Sequence, residues 1–136
     1  MLLLLLSFFF PQQDVELNVT FQNILTAKGS LYVAVYDAAD SFMDTQKVRA
    51  NKMIPVNQTG SMQVTLGRLP PGQYAVSCFH DINGNGKLDT NLFGVPVEPY
   101  GFSNNVRPKF RPPLWEEVVF SLKEGTETMS VTLKSW

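Results

Sequence analysis

The sequence predicts an all-β fold: a single-domain β-sandwich, prealbumin-like or immunoglobulin-like, with a long irregular loop region. Apolar and polar residues alternate with period two in segment after segment, and no stretch has the pattern of an amphipathic helix. Turn residues recur roughly every 8–12 positions, the spacing of short sandwich strands. With 136 residues, 44% of them hydrophobic and 17% charged, the chain can bury one core and has no room for a second domain. Eleven basic residues against twelve acidic ones leave a net charge of −1, so no global field exists to hold nucleic acid. A lone cysteine, Cys78, excludes an internal disulfide, and with one histidine it argues against a Cys/His zinc site.

The run 1–10 is apolar and breaks at Pro11. It is too short for a transmembrane helix, which needs about 20 residues, but it suits the apolar part of a secretory signal. No basic residue precedes it and no small-x-small cleavage site follows. Residues 1–13 therefore read as a truncated export signal, and residues 14–136 as the sandwich domain, destined for periplasm, cell surface or medium. A buried first strand would have to explain five consecutive leucines without alternation.

In the domain itself, Val15, Leu17, Val19 and Phe21 face one way and Glu16, Asn18, Thr20 and Gln22 the other, which is a half-buried strand. After a turn at 28–30, segment 31–36 is apolar on both faces and should be central. Segment 37–51 loses the alternation and reads as a loop with one helical turn. Met53, Ile54 and Val56 resume an extended course up to the turn cluster 57–60. Met62, Val64 and Leu66 then alternate with polar neighbours, and Leu69-Pro70-Pro71-Gly72 turns the chain. Segment 73–80 is the next strand, with Tyr74, Val76 and Cys78 on one face and His80 at its exit. Segment 81–113 is rich in proline and glycine and reads as irregular. Val118, Phe120 and Leu122 form another alternating strand, and Met129, Val131 and Leu133 the last.

Asp81-Ile82-Asn83-Gly84-Asn85-Gly86-Lys87-Leu88-Asp89 is the segment with chemistry in it. Calcium takes six to eight oxygens, and a tightly curled loop presents them from alternate positions. Side-chain oxygens stand at the first, third, fifth and ninth places, glycine at the sixth and an aliphatic residue at the eighth. The ligand set is Asp81, Asn83, Asn85, the Lys87 carbonyl and Asp89. The twelfth place holds Leu92 in place of a bidentate glutamate, and Glu98 is the nearest carboxylate to borrow. The flanks read as strand and loop, so this is a Ca2+ loop on a β scaffold. Two loop aspartates imply weak affinity, roughly 10⁻⁴–10⁻³ M. Without an ion, the Asn-Gly pairs would simply turn a hairpin.

Segments 72–76, 80–89 and 94–105 together resemble the bacterial family named domain of unknown function 2141. That resemblance implies a small exported protein with no assigned activity. The Leu69–Tyr74 element is similar to the turn and strand of prealbumin-like (transthyretin-like) modules, which supports the fold and is silent on function.

His80, beside Asp81, is expected to hydrogen-bond to the loop and fix its start. Cys78 is expected to be a buried, inert thiol. Segment 100–115 interleaves Tyr100, Phe102, Phe110 and Trp115 with Arg107, Lys109 and Arg111; it reads as a proline-stiffened flap over one end of the sandwich. The function expected is that of a non-enzymatic module with a calcium-stabilised loop, binding a cell-envelope protein or a glycan or serving envelope structure. The alternative is a small hydrolase using His80 and Ser103, although no nucleophile-elbow motif surrounds the serine.

Overall fold

Period-two alternation builds the core. Strand β1 (Val15–Ile24) buries Val15, Leu17, Val19 and Phe21 completely on one face and opens Glu16, Thr20 and Gln22 on the other. The structure is a computed structural model that describes residues 7–136; the first six residues of the expected export segment lie outside the described residues. Residues 7–14 have no regular structure, and Phe8, Phe9 and Phe10 are exposed, so this segment adds nothing to the core.

Strands β2 (Ser30–Tyr36), β3 (Ala50–Pro55), β4 (Gly60–Leu69) and β5 (Gly72–Asp81) follow in sequence. After them come β6 (Tyr100–Phe102), β7 (Phe120–Leu122) and β8 (Thr126–Thr132). They form a sandwich of two sheets. In the first, β1 lies between β4, antiparallel, and β8, parallel. In the second the order is β3-β2-β5-β6, with β7 on the same edge of β5 nearer its start. β2 is central, as its two apolar faces require.

The inner faces meet in one core. Leu31, Val33 and Val35 from β2, with Tyr74, Val76 and Cys78 from β5, oppose the β1 side chains and Val131. Full burial of each aliphatic side chain contributes about 1.5–3 kcal/mol, which makes this layer the main source of stability. On the outer face, Ala75, Phe102 and Val118 form a second buried cluster that Phe42, Tyr100, Val106 and Trp115 pack against. Tyr100, Phe102 and Trp115 thus cover one end of the larger sheet, as expected of the flap, whereas Phe110 does not and is exposed.

Two expectations need correction. Segment 81–113 is not irregular throughout: Tyr100–Phe102 pairs with β5, and Ser103–Asn105 makes a 3-10 turn. Three paired residues are too few for periodicity to register. Val118 is also not on a strand. Trp115–Val118 forms the single helical turn α1, capped where the Glu117 carboxylate accepts the Leu114 N–H at 2.9 Å.

Beyond β8 the chain returns to β6. Tyr100 and Lys134 exchange both backbone hydrogen bonds, at 3.0 and 3.1 Å. Gly101 permits that approach, since a Cβ there would lie 2.6 Å from the Thr132 carbonyl oxygen. The C-terminal residues are thereby fixed beside the flap. Among the described residues, no helix is long and apolar enough to cross a membrane.

Candidate metal centre

β5 ends by delivering His80 and Asp81, each about 1% exposed. His80 continues the inward face of Tyr74, Val76 and Cys78. Its Nε2 lies 2.6 Å from the Lys28 carbonyl oxygen, which can only accept, so Nε2 carries the proton. This corrects the expected role: the imidazole holds the 28–30 turn and not the following loop. That turn presses on the loop from below, because Gly29 (φ +64°) sits where a Cβ would be 1.9 Å from the Asp81 carbonyl oxygen.

From there the chain curls by local side-chain-to-backbone bonds. Asp81 accepts the N–H groups of Asn85 at 3.2 Å and Gly86 at 2.8 Å. Asn83 Oδ1 accepts the Asn85 N–H at 3.2 Å, and Asn85 Oδ1 accepts the Lys87 N–H at 3.0 Å. Bonds of this i to i+2 kind are what asparagine makes in turns. Asp89 closes the curl by accepting from the side-chain amides of Asn83 and Asn85.

Glu98 arrives from the far end of the hairpin 89–97. It is 6% exposed, and its two oxygens accept the Ile82 N–H at 2.7 Å and the Asp89 N–H at 3.0 Å. Asp81, Asp89 and Glu98 are therefore brought onto one loop, together with the amide oxygens of Asn83 and Asn85. Among the described residues, no three of His, Cys, Asp and Glu form a ready-made metal cluster. Any cation held here would have to draw on the asparagine and Lys87 oxygens as well as the carboxylates. Each ionised carboxylate has about four lone-pair sites, so bonds to N–H groups do not exhaust its oxygens.

Donation from Asn85, and then from Asn83, holds the Asp89 carboxyl below the ordinary aspartate range. A folded value below the unfolded one means that this contribution is present at neutral pH and disappears as acid titrates the carboxylate. Replacing Asn83 and Asn85 together by alanine should raise the Asp89 midpoint toward that of a free aspartate. A carboxyl-carbon NMR titration reads it directly; an unmoved midpoint would show that the amides do not hold the charge.

The residues of the hydrolase alternative are not brought together. Ser103 is fully buried; its hydroxyl accepts the Val76 N–H at 3.0 Å and donates to the Val118 carbonyl at 2.6 Å. His80 lies four residues farther along β5, about 13 Å at strand rise, and is engaged with Lys28. Burial pushes the Cys78 thiol far above its ordinary range, in keeping with an inert side chain. Sequence reasoning missed the clamp formed by Lys28 and Gly29, whose only signal was a Lys-Gly-Ser turn.

A family model described as "Uncharacterized protein conserved in bacteria (DUF2141)" matches residues 19–130. The chain belongs to this family. The DUF2141 match runs from β1 into β8 and takes in the whole 81–89 loop, Glu98 and the flap. No curated protein and no solved structure matches the chain.

Proposed function

We propose that this DUF2141 protein is an exported, non-enzymatic β-sandwich module whose 81–89 loop is ordered by a calcium ion, serving in binding or envelope structure. One observation carries the ion: the buried carboxylates of Asp81 and Glu98 and the half-buried one of Asp89 engage a single loop without a salt bridge, Lys87 acting on Asp89 only from beyond contact distance. Among the described residues, the salt bridges involve Asp37, Asp44, Glu16 and Glu117 and none of these three. Backbone and amide N–H groups offset part of the repulsion between them, and a hard cation would offset the rest. Asp81, Asn83, Asn85, the Lys87 carbonyl, Asp89 and Glu98 supply enough oxygens for the lower end of calcium's six to eight.

The non-enzymatic part is supported by His80 and Ser103, each committed to backbone partners. Export is supported by the apolar run 1–10 and is checked by fractionating the producing cells. A cell-envelope protein or a glycan remains the proposed class of partner.

Calorimetric titration with Ca2+ should show one weak site. A site with a Kd near 10⁻⁴ M would add about 2.7 kcal/mol of stability at free ion a hundred times Kd, about 10 mM, a clear rise in Tm. Asp81→Ala combined with Asp89→Ala should abolish that rise. A melting curve unchanged at millimolar calcium would remove the ion from this account.

A further inference from the structure

We propose that the end of the sandwich beside the loop docks on an anionic lipid surface, through two apolar tips, the second of them set among basic side chains. The first tip is the hairpin 89–97, whose backbone is bonded along its length. Val97 N–H donates to Asp89 O at 2.9 Å, Asn91 N–H to Val95 O at 2.8 Å, and Gly94 N–H to Asn91 O at 3.0 Å. Asn91 Oδ1 also accepts the N–H groups of Phe93 and Val95, at 2.8 and 3.1 Å. This well-tied turn holds Leu92 100% and Phe93 90% exposed. Two large apolar side chains are kept in water by a fixed backbone, and nothing in the core requires it.

The second tip is Phe110, 88% exposed at the end of the flap. It meets the half-exposed Trp136 edge-on, with ring centroids 5.7 Å apart. Phe93, Phe110 and Trp136 line one open cleft of about 620 Å³, with Arg107 and Arg111 in its wall, so both tips belong to the same end of the molecule.

Charge selects the occupant. Segment 99–115 contains Arg107, Lys109 and Arg111 and no acidic residue, and it is bounded by the buried Glu98 on one side and by Glu116 and Glu117 on the other. Arg111 is paired with Glu117 at 2.6 Å, while Arg107, Lys109 and the neighbouring Lys134 make no salt bridge among the described residues. Arg107 is fixed over the Tyr100 ring at 4.4 Å and donates to the carbonyls of Tyr100 and Lys134, each at 2.8 Å. Phenylalanine, leucine and tryptophan projecting among cations are the chemistry of a peripheral membrane contact: apolar tips enter the acyl boundary and the cations meet anionic headgroups. A glycan could stack on the aromatic rings but would leave the aliphatic Leu92 and the cations without a role. The proposal does not require a bound ion, since no projecting side chain is a proposed ligand, although Asp89 and Glu98 sit at the base of the first tip.

The test uses residues 14–136, which hold every strand and every core side chain among the described residues and so carry the whole described core. Protein in EDTA is mixed with vesicles of phosphatidylcholine alone or with 30% phosphatidylglycerol, and binding is read by sedimentation and tryptophan emission. Expected are binding to the anionic vesicles, a blue shift from Trp136, and weakening of several-fold on raising salt from about 0.1 to 0.5 M. Phe93→Ser with Phe110→Ser should reduce partitioning at least about thirtyfold while leaving Tm unchanged, because both sites are exposed. Three results would overturn the proposal: no binding at millimolar anionic lipid, equal binding to neutral vesicles, or equal binding by the double variant. A concentration-dependent dimer abolished by the same substitutions would also overturn it, assigning the surface to a second copy of the chain.

Discussion

Gly29→Ala is expected to cost about 3 kcal/mol or more and to show as a large drop in the urea midpoint. Part of the cost is general, because an L-residue in the left-handed region loses about 1–2 kcal/mol. The larger part is local: the new Cβ would stand 1.9 Å from the Asp81 carbonyl oxygen, 2.9 Å from its carbon and 2.9 Å from Ile82 Cα. All three atoms are backbone, so no side chain can swing aside. The turn would have to lift away, losing the Val56 N–H bond to Gly29 O and the His80 bond to Lys28 O. Gly60 is the control, because it has φ +90° and nothing within 4 Å of its virtual Cβ. Gly60→Ala should show the general cost alone. Equal losses at the two glycines would mean that the 28–30 turn does not brace the start of the loop.

That brace marks the boundary of what the sequence could tell. β1 was legible because one face is apolar and fully buried and the other is polar and, Asn18 apart, at least partly open, the arrangement period two encodes. The curl of 81–89 was legible for a different reason: its bonds run from a side chain to a backbone group a few residues on, so spacing alone specifies them. Glu98, named as the nearest downstream carboxylate, does reach the loop, because the hairpin 89–97 folds it back. The contact between Lys28 and His80 spans 52 residues, and no local pattern announces it. Ser103 misled by residue type. A serine and a histidine in one chain suggest chemistry, yet the pairing of Phe102 with Ser77 puts Ser103 beside Val76 as a backbone bridge. The exposure of Leu92 and Phe93 was not legible: Leu92 registered only as the loop's twelfth place, since an apolar residue in a sequence does not announce whether it is buried.

Glu98→Ala is the second large effect expected, a loss of about 2–4 kcal/mol that added calcium does not restore. The side chain is nearly buried and binds two N–H groups from the two ends of the loop, Ile82 and Asp89. Hydrogen bonds to a charged acceptor are worth about 1.5–3 kcal/mol each, and both half-buried donors would lose theirs at once. Glu98→Gln separates charge from geometry. The amide oxygen can keep one N–H, but its NH₂ faces the other, so stability should fall between wild type and alanine. Hydrogen exchange gives the residue-level check: the amides of Ile82 and Asp89 should exchange faster in both variants, with those of Gly86 and Lys87 changing less because Asp81 and Asn85 still hold them. If Glu98→Gln matched wild type in both stability and exchange, the charge would be immaterial, and Glu98 would be an ordinary hairpin tie with no reason to sit beside two aspartates. If instead the charge matters, the same carboxylate that fixes the loop also fixes the base of the hairpin carrying Leu92 and Phe93. Glu98→Ala should then loosen the apolar tip along with the loop.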